Sequence, residues 1–189
     1  MQKGIRERML CCECETRISK WERYASLAMK EQLPLEAKRI GKVVSIRGVD
    51  YKNFKLFQLS ILWRSSVAKH EMFAAVSLGQ HEEKIRRLLL ESDPGNPEDY
   101  ACLMYALLDG DTPVTDLIDQ PMRVRLDRHN AYRFVFGGIV WTYIVTSHNI
   151  NPVLVMAAIN HQRMCILQKD IRQIPELASF ANDLKKTGK

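Results

Sequence analysis

The sequence predicts an α+β protein, with N-terminal helices packed on a C-terminal, mainly antiparallel sheet and a helix at the end. Three observations carry that expectation. Up to about residue 90, apolar residues recur every three or four positions, which is the period of a helix with one buried face. Beyond residue 100 the recurrence shortens to two, with polar turn residues between the runs. Helices first and strands later is the order of an α+β fold rather than of alternating βαβ units. No Gly/Ser linker, low-complexity tract or repeat divides residues 1–189, so one domain is expected.

The elements follow in order. Glu15–Lys30 reads as a helix, with Ile18, Trp21, Ala25 and Ala28 on one side and Arg17, Lys20 and Arg23 elsewhere on the wheel. Glu13 and Glu15 suit its positively polarised start. After Pro34 a short basic helical stretch is expected at Glu36–Arg39. Lys42–Arg47 alternates as a strand should, and Gly48 ends it. Asp50 is a good N-cap for a helix from Tyr51 to about Ala68, whose apolar side is Phe54, Phe57, Ile61 and Leu62. A third helix spans Gln80–Leu90, and Asp93-Pro94-Gly95-Asn96-Pro97 is a loop.

Tyr100–Leu107 is rich in aliphatics and favours a strand. Met122–Leu126, Tyr132–Phe136 and Ile139–Thr146 read as consecutive strands, with Asp127-Arg128-His129-Asn130 as the first turn. Gly137-Gly138 is expected to be a bulge or a close backbone contact. A short helix over Val153–Asn160, an edge strand over Arg163–Gln168 and a terminal helix over Pro175–Lys185 complete the chain.

Composition narrows the function. Hydrophobic residues make up 46% and charged residues 26%, which is globular usage. The longest apolar run, Phe134–Val145, is interrupted by two glycines and too short to cross a bilayer, so no membrane partner is expected. The opening Met1–Arg6 is charged rather than signal-like, and five cysteines are an odd number, so a reducing cytoplasm is the expected setting. The net charge of +6 permits nucleic-acid binding without demanding it.

Cys11-Cys12-Glu13-Cys14 carries the strongest chemical signal. Two thiolates at CxxC spacing can clasp one side of a zinc ion, but tetrahedral zinc needs two more donors. Cys102, Cys165 and the histidines at 70, 81, 129, 148 and 161 are not paired at ligand spacing. The alternatives are reduced thiols beside a helix, or a redox pair, which in the thioredoxin pattern needs a strand and a βαβ unit around it. Arg123, Arg125, Arg128 and Arg133 form a second candidate, a basic hairpin edge that either follows a phosphate backbone or keeps the edge solvated. Arg64, beside Trp63 in an apolar stretch, requires a carboxylate or an aromatic face, and the two residues are candidate partner or ligand contacts. His81-Glu82-Glu83 lacks the second histidine of a metalloprotease helix, and His70-Glu71 reads as incidental. His148 and His161 flank the Asn151-Pro152 break and are candidates to converge.

Gly4-Ile5-Arg6-Glu7, Leu10-Cys11-x-x-Cys14-Glu15 and Trp21-Glu22-Arg23-Tyr24 together resemble bacterial and prophage HNH-endonuclease-like proteins. Leu59–Arg64, Leu78-Gly79 and Phe136-Gly137-Gly138 resemble later parts of that group. The resemblance implies a treble-clef ancestry in which Cys11 and Cys14 are structural zinc ligands of the second knuckle. The first knuckle and the histidine-bearing catalytic stretch have no counterpart before Leu10, so residues 1–31 form an incomplete zinc knuckle. No catalytic residue carries over. The expected function is therefore a non-catalytic module in a phage or defence setting, binding nucleic acid or a nucleic-acid-associated protein. A homodimer sharing one ion through its cysteines fits the missing half. A phage-type inhibitor that occupies a partner protein and an enzyme of unrecognised type are the alternatives.

Overall fold

The computed structural model describes residues 7–174. Helix α1, Cys12–Met29, buries Ile18, Trp21, Ala25 and Ala28, the stripe that its periodicity predicts. Strands β1, Glu36–Ile40, and β2, Val43–Arg47, follow as a hairpin. The helical reading of 36–39 is thus corrected. Five residues are too few to hold a helix alone, whereas pairing Glu36 to Arg47 and Ile40 to Val43 satisfies their backbone. Gly41, at φ +60°, makes the two-residue turn between them.

Helix α2, Tyr51–Val67, starts at Asp50, whose Oδ1 accepts the Asn53 N–H at 3.0 Å as an N-cap should. It lies between α1 and α3, the latter spanning Gln80–Glu91, and is buried nearly all round. That position explains the absence of a polar face over Phe54–Leu62.

The remaining strands are β3 (Cys102–Asp109), β4 (Thr112–Pro113), β5 (Asp119–Leu126), β6 (His129–Phe136), β7 (Ile139–Val145) and β8 (Met164–Asp170). A short helix α4, Pro152–Ala157, precedes β8. They join β1 and β2 in one eight-stranded sheet of order β1-β2-β8-β3-β7-β6-β5, with β4 paired to β3 off that path. The pairings are antiparallel except β3 with β8. The mainly antiparallel α+β expectation holds. The predicted terminal helix over 175–185 lies outside the described residues.

β8 differs from its expected place. The sequence suggests an edge strand, yet β8 sits between β2 and β3 and runs parallel to β3. The crossover through α4 makes this possible: Ile150, Leu154, Val155 and Ala158 pack on Ala101, Leu103 and Ile144 and so cover part of the sheet's back face. The helices cover the front face, where Phe54, Leu59, Met104, Trp141, Tyr143 and Met164 meet in the main core. β7 is buried along its whole length, its odd-numbered residues facing the helices and its even-numbered ones the back.

Gly137-Gly138 forms the β6–β7 turn, with both φ values positive. A Cβ on Gly138 would lie 3.2 Å from the Val114 carbonyl oxygen, so the close-contact reading holds. The register irregularity of this hairpin region falls instead in β5, between Asp119 and Met122. Among the described residues no helix is long and apolar enough to cross a membrane.

Candidate functional site

The two sequence candidates lie on different elements, the start of α1 and the β5–β6 hairpin. Cys11 is the N-cap of α1, in an extended conformation (φ −75°, ψ 161°), and its carbonyl accepts the Glu15 N–H at 3.0 Å. Cys14 sits one turn in, half-buried in a notch with Leu10, Trp21, Trp63 and Leu89 and the guanidinium groups of Arg17 and Arg86. Cys11 and Cys12 are exposed. The Cys14 N–H and thiol point toward the Cys11 sulfur and lower its pKa, although the contact falls short of a formed cap hydrogen bond. The same thiol contact, with some desolvation, raises the pKa of Cys14. The pair thus titrates as a unit, with the thiolate favoured at Cys11.

Further donors do not gather around it. Every Cys and His of the chain falls between residues 11 and 165. Among the described residues no three or more His, Cys, Asp or Glu side chains cluster as a metal site. Cys102 is buried against Lys55 and Tyr143, and its thiol is pushed up to about 12. Cys165 lies on β8. Among the described residues, Cys11 and Cys14 thus supply two of the four donors that a tetrahedral zinc site takes.

The basic hairpin forms, but the structure divides its arginines. Arg123 pairs with Tyr132 and Arg125 with Asn130, so both point to one face of β5, whereas Arg133 opposes Met122 and lies on the other face. Arg133 faces a cleft with Tyr105, Thr142 and Lys169. Arg128 stands in the β5–β6 turn, where it and Asp127 both have positive φ, as a tight hairpin requires. Arg123 donates to Asn130 Oδ1 at 3.2 Å and Arg125 to the Arg128 carbonyl at 3.4 Å. Both acceptors are neutral, and neither arginine has a carboxylate partner within salt-bridge distance among the described residues. β5 is also the last strand in the sheet's order, with no strand paired to its outer side among the described residues.

Arg64 has the carboxylate its surroundings require: its Nη2 lies 2.6 Å from Glu22 Oε1, and its Nε donates to the Ser60 carbonyl at 3.2 Å. The pair is only partly buried, so it adds about 1 kcal/mol or less. Arg64 borders an apolar groove of about 360 Å³ with Ile61, Phe73, Ile118, Phe134 and Phe136. Trp63, one residue earlier and hence about 100° round the helix, faces the notch beside Cys14 instead. The two residues do not form one contact surface.

A third site was not legible in the sequence. His81 Nδ1 and the Tyr100 hydroxyl are 3.2 Å apart and border a polar cleft that also contains Lys84, Asp99, Ser147 and His148. Tyr100 adopts φ +51°, a strained conformation for a bulky residue. Beneath it Lys55 is fully buried and donates to the Tyr100 carbonyl at 3.2 Å, its pKa pushed down to about 8 by burial. Only the lysine inside the apolar period of α2 hinted at this arrangement. His161 packs against the Tyr51 ring, with centroids 4.2 Å apart, and is not part of this cleft with His148. His70 accepts the Met72 N–H at 3.1 Å and caps a short 3-10 turn.

No family model matches this chain, and comparison with curated proteins and with solved structures likewise finds no match.

Proposed function

We propose that the protein is a non-catalytic module that binds nucleic acid along the open edge of β5, in a phage or defence setting of the kind the HNH-like resemblance implies. The observation that carries this reading is the pair Arg123 and Arg125, exposed on one face of an edge strand and, among the described residues, bonded to neutral acceptors only. Strand rise separates them by about 7 Å, which lets both meet one polyanion. Arg128 extends the positive surface into the turn. A carboxylate at either position would cancel that charge, and none is in place among the described residues.

The test is retention of labelled single- and double-stranded oligonucleotides over a salt series. Wild-type binding should weaken steeply with salt. Replacing Arg123, Arg125 and Arg128 together by alanine should reduce the log–log salt slope by about 2–3, as expected for lost phosphate contacts. Absent retention at low salt, or a slope that the triple replacement leaves alone, overturns the proposal.

The groove beside Arg64 favours a second reading, an interaction module for a partner protein. Ile118 on its rim is 69% exposed, a large apolar side chain facing solvent among the described residues. Capture that persists in high salt and is lost in Ile118→Asp would select this reading over the first.

A further inference from the structure

We infer that Cys11 and Cys14 form a redox-active dithiol, in which Cys11 attacks a disulfide and Cys14 resolves the product into a Cys11–Cys14 bond. The inference does not rest on nucleic-acid binding. It starts from the place of the two residues in α1. Inside a helix, side chains three apart stand about 5–6 Å apart at Cβ, too far for an unstrained disulfide, whose Cβ atoms are about 3.8 Å apart. An N-cap escapes that limit, because its extended backbone turns its side chain back over the third helical residue. Cys11 is that N-cap and Cys14 that third residue. Neighbouring Cys12 lies at the first helical position and cannot close on Cys11 without distorting the backbone.

The surroundings suit the same chemistry. Cys11 is open to solvent for attack, and Cys14 is half-buried behind it, as a resolving thiol should be. Arg17 and Arg86, each paired to a glutamate, border the Cys14 notch and leave Cys11 as the more open of the two thiols. Helix α1 is anchored by Ile18 and Trp21, so the first turn is held in place while the sulfurs react. Among the described residues no third donor gathers with them into a metal cluster, and two thiols at this spacing suffice for a covalent pair.

With a small disulfide such as oxidised glutathione, the Cys11 thiolate attacks one sulfur and breaks the S–S bond. One glutathione leaves as a thiolate and takes up a proton. Cys14, having lost its proton, then attacks the Cys11 sulfur and displaces the second glutathione. The protein loses two protons and two electrons, which end on the two released glutathione thiols.

The experiment uses the full chain, reduced and treated with chelator, then equilibrated with oxidised glutathione and read by peptide mass spectrometry. Wild type should show a Cys11–Cys14 link two hydrogens lighter than the dithiol. Cys14→Ser should stop at one glutathione on Cys11, Cys11→Ser should form neither product, and Cys12→Ser should behave as wild type. A circular-dichroism melt of each variant confirms that the fold is retained. The inference is overturned if Cys14→Ser takes up glutathione at Cys12 as readily as at Cys11, or if wild type stays reduced in excess oxidant. Stoichiometric zinc that shields both thiols from alkylation in the protein as purified would also overturn it.

Discussion

β7 and β5 belong to one sheet, separated only by β6, and yet they live in different media. Every residue from Ile139 to Val145 is buried, packed by helices in front and by α4 and the residues near Ile171 behind. On β5 the residues alternate, with Arg123 and Arg125 exposed and Val124 and Leu126 half-buried. The difference shows where this chain can change cheaply. A side chain in the middle of the sheet is held by two layers, whereas one on the outer strand answers mainly to solvent.

The hardest test of that contrast is Phe54→Ala. Phe54 is fully buried and stacks on Trp141 of β7 at a centroid distance of 6.3 Å. Its truncation should cost about 3–5 kcal/mol, read as a lower midpoint in urea denaturation. A loss below about 1 kcal/mol would mean that the core beneath β7 is loosely packed.

Lys55 sharpens the comparison from within the buried side. Its folded pKa of about 8 lies below the ordinary 10.5, so the unfolded chain holds the proton more tightly. The penalty is therefore full below pH 8 and fades as pH rises toward 10.5. Between about pH 8 and pH 9, stability should rise by about 1 kcal/mol relative to Lys55→Met. Above pH 9 the raised thiol of Cys102 acts in the opposite sense, since the folded state then keeps a proton that the unfolded chain has lost. Urea denaturation of both proteins across this window measures the difference. Parallel pH profiles would show that Lys55 is not desolvated as its position requires.

The smallest effect belongs to the edge. Arg123→Ala with Arg125→Ala should shift stability by less than about 0.5 kcal/mol in thermal melts, because both hydrogen bonds are exposed and go to neutral acceptors. A larger loss would assign the arginines to holding the hairpin rather than to binding.

Much of the architecture was legible because it is local. The Ile18–Trp21–Ala25–Ala28 stripe, the Asp50 cap and the β5–β6–β7 hairpins all depend on neighbours in sequence. What failed was non-local. Glu36–Ile40 has no pattern of its own and becomes a strand because β2 lies beside it. Met164–Asp170 gives no sign that two strands will close on it from both sides. The candidate sites divide in the same way. The CxxC spacing and the carboxylate for Arg64 were readable, whereas the separation of Arg133 from Arg123 depends on the register of β5 against β6. The contact of His81 with Tyr100 joins α3 to the approach to β3, across a loop whose course the sequence does not encode in any simple period.

The inserted position of β8 has a consequence for how the molecule is made. Until residues 164–170 leave the ribosome, the β1–β2 hairpin lacks its partner strand, and β3 presents an unpaired parallel edge to whatever is near. The nascent chain must wait with its sheet in two pieces, and β8 joins them by closing contacts more than a hundred residues apart. Synthesis that stalls before Met164 would leave a sticky half-sheet for chaperones or proteases to find.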